Sequence, residues 1–354
     1  MAAEAPSTQA DGRLRSFEDD EELQEFFHIH RLTDGLPIVA PTLARVDAML
    51  AAGTRAGDET IGVIAGRSRG ITVEQAAVCA VMAGALPEYF PVILATWDAI
   101  LDPAMDANAT FGSSGSTAIT AIVSGPYAAE IGMNAEHNML GPGNRANATM
   151  GRAVRLGLRN ALGYRTGELD GAAFGNQARY TAHFAERTPP PEWEPLRVRL
   201  GHGADTTTVT AAMTDAPRQL SHNLDGDPHN VLRMFATCMR DLSHVAAGRS
   251  SSYFLVIGPE HTEILVSGGL VPADISEWVA GATRVTREEI EAAGIPLSAG
   301  RHDVLGDDGK LATTAAEDVH VVTAGGTGAG WSQVIFGYAP SRVFRPVTRE
   351  VEVP

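Results

Sequence analysis

The sequence predicts an α/β fold made of two similar α/β halves with parallel or mixed sheets. Three observations carry this expectation. β-branched or apolar runs such as "TAITAIV", "YFLVI" and "VHVVT" alternate with helical segments along the chain. Two strand-to-helix turns, "VSGPYAAEI" (123–131) and "VIGPEHTEI" (256–264), match without a gap at an offset of 133 residues. Each opens a helix with Pro near its first position, where the missing N–H costs nothing. A Pro-rich run, "RTPPPEWEP" (187–195), lies between them. The expected organisation is a flexible N-terminal tail at 1–16, a first half at 17–187 and a second half at 196–354, with 188–195 as the connection.

Element by element, "SFEDDEELQEFFHIHRLTDG" reads as a helix. Ser16 is its N-cap, acids face the dipole in its first turn, and Gly35 stops it. "LPIVAPT" (36–42) is extended, because Pro37 and Pro41 disfavour helix in the residues before them. "ARVDAMLAA" is a short helix and "ETIGVIAG" (59–66) a buried strand. "TVEQAAVCAVMAGAL" (72–86) is apolar on most faces and therefore a buried helix. A further helix follows Pro91, and a long Arg-bearing one spans 146–162. "LRVRLG" and "TTTVTAAM" alternate as strands, 229–246 is a helix, and "SSYFLVIGPEHTEI" is strand into helix. "VHVVTAGGTGAGW" (319–331) is a strand running into a Gly-rich loop.

Composition excludes several chemistries. The net charge of −16 argues against a nucleic-acid surface. Ala76–Trp97 is broken by Pro87, Glu88 and Pro91, and Ala107–Ala129 is filled with Gly, Ser and Thr. Neither is the continuous apolar span a bilayer needs. The start of the chain has no apolar signal region, and the two cysteines, Cys79 and Cys238, form no disulfide or metal pattern, so the expected compartment is cytoplasmic. Lysine occurs once, as Lys310, beside 26 arginines. No G-K-[ST] exists for a P-loop, and a lone Lys in a hydrophilic turn is a poor Schiff-base lysine. An amidase-like use of "FGSSGST" (111–117) also fails, because that chemistry needs an upstream lysine as base.

The candidate site residues fall in three loops. In "GSSGST", Ser113, Ser114, Ser116 and Thr117 offer hydroxyls while glycines expose backbone amides. The spacing is not that of a nucleophile elbow, so these groups bind a ligand or shape a loop, with Ser114 kept as the candidate nucleophile. In "GPGNRAN" (141–147), Asn144 or Asn147 caps the following helix, and Arg145 stands at its N-terminus, where amides and dipole favour a carboxylate or phosphate. Arg152, Arg155 and Arg159 share one helical face, and a solvated face is the favoured reading for the last two. In "AGGTGAG" (324–330), Gly325, Gly326 and Thr327 can line a ligand with N–H groups, although the G-x-G-x-x-G order is missing. Asp34 and His137 are the catalytic candidates for proton transfer, with Glu168, Asp170 and His183 also considered. His28 and His30 fall on opposite sides of a helix, and no metal-binding spacing appears.

"TDGLPIVAPT", "VMAGALPEYFPVI" and "GPGNRANATMGRAVRLGLRNALGYRTGELD" together resemble an uncharacterised bacterial family. Its members are often encoded beside thioredoxin-like UGSC-motif (seleno)proteins. The resemblance extends to "VIGPEHTEI" and to the final "AGGTGAGWS…PVTRE". It implies no defined reaction and leaves the cofactor unknown; it implies a thioredoxin-like partner carrying the redox thiol or selenol that this chain lacks. The "SSGSTAI" segment departs from the family pattern. Three functions stay open. The first is a cytoplasmic enzyme acting on a small anionic or carbonyl-containing organic molecule bound between the three loops, with a redox-thiol partner protein. The second is a partner-independent hydrolase or lyase using the Ser-rich loop. The third is a non-catalytic, small-molecule-binding subunit of a redox complex. A homo-oligomer is a further expectation.

Overall fold

Local chemistry explains where the first elements begin. The computed structural model describes residues 15–64, 67–222, 225–240, 252–294, 310–311, 314–337 and 345–354. Nearly all of the expected 1–16 tail lies outside them, as does the end of the 229–246 helix. Helix α1 (Asp20–Ile29) is capped by Asp19, whose Oδ1 accepts from Glu22 N at 2.9 Å. The cap is therefore three residues later than Ser16, and the helix ends at His30 rather than Gly35. Helix α2 (Leu43–Ala51) follows the extended Pro-flanked segment. Strands β1 (Thr60–Ile64) and β2 (Arg69–Thr72) pair only with each other, antiparallel. The expected buried strand is thus one arm of a ribbon, and most of its residues keep contact with solvent. Thr72 and Gln75 form a capping box for α3 (Val73–Ala83), which ends at Gly84 in the left-handed region. Helices α3 and α4 (Phe90–Ile100) are buried almost throughout, as their apolar composition requires.

The rest of the chain builds one strand pattern twice. Helix α5 (Ala107–Phe111) leads through the serine loop to β3 (Ala118–Ser124). Helices α6 (Pro126–Glu130) and α7 (Arg145–Asn160), β4 (His183–Ala185), α8 (Leu196–Arg199), β5 (Thr208–Thr214) and β6 (Arg218–Ser221) follow. The second pass has α9 (Pro228–Met239), β7 (Tyr253–Ile257), α10 (Pro259–Ser267) and α11 (Pro272–Ala282). Next come β8 (Val285–Thr286), α12 (Arg287–Ala292) and β9 (Lys310–Leu311), which pairs with β8. Strands β10 (Val319–Thr323), β11 (Trp331–Phe336) and β12 (Val347–Glu350) finish the chain. The fold is α/β with mixed sheets. "LRVRLG" forms the short helix α8 instead of a strand.

Each sheet has four strands, in the orders β12-β5-β3-β4 and β10-β7-β11-β6. In the first, β3 is parallel to β4 and antiparallel to β5. In the second, β7 is parallel to β10 and antiparallel to β11. The fourth strand of each pass crosses over. β6 follows β5 in the chain but pairs with β11, and β12 follows β11 but pairs with β5. The two repeats therefore exchange their edge strands. An exchanged strand hydrogen-bonds a flank of the third strand that would otherwise stand open.

This exchange crosses the connection expected at 188–195. Strand β5 lies after it and pairs in the first sheet, and β12 returns to that sheet from the end of the chain. The Pro-rich run is a strap rather than a free connection. Trp193 is buried among the apolar side chains of the second sheet, and its indole N–H donates to Leu270 O at 2.8 Å. Arg187 N donates to Thr323 O at 2.8 Å, which ties the strap's start to β10.

Strand alternation sorts the side chains into layers. Ala121, Val123, Val209, Ala211 and Met213 face helices α4 and α7, in one apolar cluster with side chains of α2 and α3. Leu255, Ile257, Val321, Val334 and Phe336 face α9, α10 and α11. The opposite faces meet: Ile122, Phe184 and Ala212 of one sheet pack with Phe254, Val256, Val322 and Ile335 of the other. The order is helix, sheet, sheet, helix. The matched turns differ by one residue. Val123 and Ile257 are the equivalent outward-facing residues, paired with Val209 and Ser332. Ser124 is then an extra residue, and Gly125 takes φ 140° where Gly258 has −72°. Both turns press against the neighbouring strand: a Cβ on Gly125 would lie 2.5 Å from Thr207 Cα, and one on Gly258 would overlap Trp331 O.

Candidate functional site

Two cavities collect polar side chains. The larger, about 570 Å³, lies between loop 136–141 of the first repeat and the Gly-rich loop of the second. Val256, Met139 and Leu140 supply apolar wall, Gln219 and Gln333 add a cross-strand amide pair from β6 and β11, and the half-exposed Trp331 also lines it. Among the described lining residues there is no Arg or Lys.

The Gly-rich loop uses backbone conformations most residues avoid. Gly325, Ala329 and Gly330 have φ of 101°, 53° and 70°. It is anchored by Gly325 N to Ala135 O at 2.8 Å and by Gly328 N to Glu260 Oε1 at 2.6 Å. Between and beside these anchors, the amides of Gly326, Thr327 and Ala329 make no hydrogen bond within the described residues. Such a run of free N–H groups suits a ligand oxygen.

His137 enters from the other repeat. Its loop is pinned by buried Asn147, whose Oδ1 accepts from Asn134 N at 3.0 Å and whose Nδ2 donates to Asn134 O and Met139 O. Asn144 caps α7 by accepting from Asn147 N at 2.9 Å, and its amide donates to Gly132 O. These two asparagines, candidates for substrate binding, hold the His137 loop through these bonds. Gly326 packs against the imidazole so closely that a Cβ would overlap Nδ1. Thr327 Oγ1 stands 3.5 Å from Nε2. His137, Gly325, Gly326 and Thr327 are thus brought together as candidates.

Ser332 also lines this cavity. Its Oγ accepts from Gly258 N at 3.1 Å and lies 2.8 Å from His261 Nδ1. His261 is fully buried, and burial, then the nearby His222, pushes its pKa down. With both side chains buried, the pair ties β11 to the first turn of α10.

The second cavity, about 390 Å³, lies beside α7 and is lined by Arg155, Arg159, Arg179, Tyr164 and Asp34 among others. Asp34 is chelated by Arg152, with Nε and Nη2 at 2.8 and 2.9 Å from its two oxygens. Burial pushes its carboxyl up, but the Arg152 hydrogen bonds and charge outweigh this and hold it below the usual range. It is an ionised anchor, and the two cavities share no lining residue, so Asp34 and His137 do not form one acid–base pair. Asp170, 1 % exposed, accepts from Nη2 of both Arg155 and Arg179 at 2.5 Å. Glu168 pairs with Arg31 at 2.7 Å near the surface.

The serine loop belongs beside this second cavity. Ser116 Oγ accepts from Gly175 N at 2.7 Å, and Ser116 O accepts from Asn176 Nδ2 at 2.5 Å. Ser114 O accepts from Ala173 N, with its side chain at an exposed position, while Ser113 Oγ accepts from Gly115 N at 3.1 Å. Thr117 Oγ1 is buried without a partner among the described residues. Arg145 donates from Nε to Gly84 O at 2.9 Å and lines neither cavity. The three loops expected to share one ligand are therefore divided. His183 faces α7 from β4, with burial pushing it down to about 3. Among the described residues, no three His, Cys, Asp or Glu side chains are grouped to hold a metal, and no helix is long and apolar enough to cross a membrane.

No protein-family model matches the chain, and no curated protein matches it. The functional reading therefore rests on the chemistry of these cavities.

Proposed function

We propose that the protein is an enzyme acting on a small, uncharged, carbonyl-bearing molecule in the 570 Å³ cavity. The observation that carries this reading is the meeting of His137, the Thr327 hydroxyl and unbonded loop amides across the junction of two repeats. The amides would polarise a carbonyl oxygen, and His137 would move a proton at a neighbouring atom, with Thr327 orienting the ring. The lack of a cationic side chain in the described lining favours a neutral substrate over an anionic one.

Neither Cys79 nor Cys238 lines this cavity, so a redox step there would need a thiol from elsewhere. Cys79 is buried, and burial pushes its thiol up to about 12. The family resemblance supports a thioredoxin-like partner as the source, in a cytoplasmic setting.

The test is capture of metabolites from a cell extract by the purified full chain, read by mass spectrometry, with Gly326→Ala and His137→Gln beside it. Gly326→Ala should displace the imidazole and abolish enrichment of the captured molecule. His137→Gln should retain capture and lose its conversion to product. Equal capture by wild type and Gly326→Ala would overturn the assignment of this cavity.

A further inference from the structure

The smaller cavity has a different chemistry from the one assigned above. Three guanidinium groups, of Arg155, Arg159 and Arg179, line it. Arg155 and Arg179 share a single carboxylate oxygen of Asp170, so two cations divide one anion. Arg159 has no carboxylate partner among the described residues; its Nε donates to Arg31 O at 3.0 Å. The wall carboxylate, Asp34, is already neutralised by Arg152. The surplus is positive in a chain whose net charge is −16.

Two buried donors are also unused. Tyr164, only 1 % exposed, lines the cavity with a hydroxyl that has no partner among the described residues, and Arg179 Nε is likewise unpaired. Buried polar groups are rarely left unsatisfied without a role. Burial, then Arg31 and Arg165, lower the pKa of Arg159, and burial, then Arg179, lower that of Arg155. An anion between these groups would relieve that repulsion.

The cavity is also lined by aromatic side chains that solvent reaches. Phe174 is 98 % exposed and Tyr180 about half exposed, and both line the cavity. Their segment is held in place by the two Ser116 hydrogen bonds. A large apolar ring left in water beside a cationic hole suits a ligand with a flat apolar part and a charged head.

We propose that this cavity is a binding site for an organic oxyanion, a phosphate or carboxylate carried on a flat ring. Arg159, Arg179 and the Tyr164 hydroxyl hold the head group, and Phe174 and Tyr180 cover the ring. The site stands apart from the His137 cavity, and its test does not depend on that assignment.

Isothermal titration of the full chain with phenyl phosphate, benzoate, inorganic phosphate and phenol tests it at constant ionic strength. Phenyl phosphate or benzoate should bind, and whichever binds more tightly identifies the head group; phenol should not bind. Arg159→Gln should weaken binding about tenfold or more, the loss of one charge-assisted contact. Its melting temperature without ligand should stay near that of wild type, because Arg159 makes no ion pair among the described residues. Phe174→Ala should bring phenyl phosphate down to the affinity of inorganic phosphate, and Gly326→Ala should leave binding unchanged. Absence of binding by both aryl anions, or equal binding by wild type and Arg159→Gln, would overturn the proposal.

Discussion

Replacing Asp170 by Asn keeps the side-chain shape and removes the charge that Arg155 and Arg179 share. Asp170 is 1 % exposed, and the two arginine side chains are 17 % and 15 % exposed, so solvent screens the triad weakly. Breaking a buried ion pair by removing one partner costs about 3–5 kcal/mol. Residual exposure of the arginines places this case near the lower end, about 3 kcal/mol. At about 2.1 cal/mol/K per residue, 354 residues have an unfolding entropy of about 0.7 kcal/mol/K. The melting temperature should therefore fall by about 4 °C at pH 7. Burial pushes the Asp170 carboxyl up, but the charges of Arg155 and Arg179 outweigh this and hold it below the ordinary carboxylate range. A lowered folded pKa gives stability that is fully present above the unfolded value of about 3.9 and is lost as pH falls through the folded value. The wild type and Asp170→Asn should accordingly converge in acid. Thermal unfolding followed by circular dichroism from pH 7 down to pH 3 measures both effects. A shift under about 1 °C at pH 7, or a gap that persists unchanged into acid, would refute the reasoning.

Two further outcomes follow from the fold. His183 is buried with both ring nitrogens unpartnered among the described residues, and its pKa is pushed down to about 3. The unfolded chain then takes up this proton first as pH falls below about 6.5, so acid costs up to about 1.4 kcal/mol per pH unit. His183→Leu should flatten the stability curve between pH 6 and 4 in urea titrations; identical slopes would count against a neutral buried imidazole. Ending the chain at Arg345 would remove β12 and the buried Val347 and Val351. Amides of β5 that face β12 should then exchange hydrogen faster, with β7 little changed, and uniform protection in both sheets would contradict the exchanged-strand topology.

Much of the secondary structure is legible locally because its causes are local. Thr72 and Gln75 cap α3 through contacts three residues apart, and the Gly-Pro entries of α6 and α10 need only a proline that starts a helix. The candidate site was less legible. His137 and Gly326 are 189 positions apart, and only their packing makes the glycine a requirement of the imidazole. Arg145 looked suited to an anion by position at a helix N-terminus, yet its side chain is turned to Gly84 O. Arg155 and Arg159 share one helical face by spacing, and only the fold brings the loop that follows α7 to line the same cavity as both.

The sequence by itself determined the α/β class, the internal echo of two strand-to-helix turns and most of the helices, since propensity, capping and hydrophobic period act within a few residues. Tertiary structure alone decided that the repeats exchange edge strands, that Ser124 offsets the two turns by one residue, and that the polar loops divide between two cavities. Those outcomes depend on which sheet edge is open and which side chains meet across it, and strand pairing between residues more than a hundred positions apart leaves no local signal.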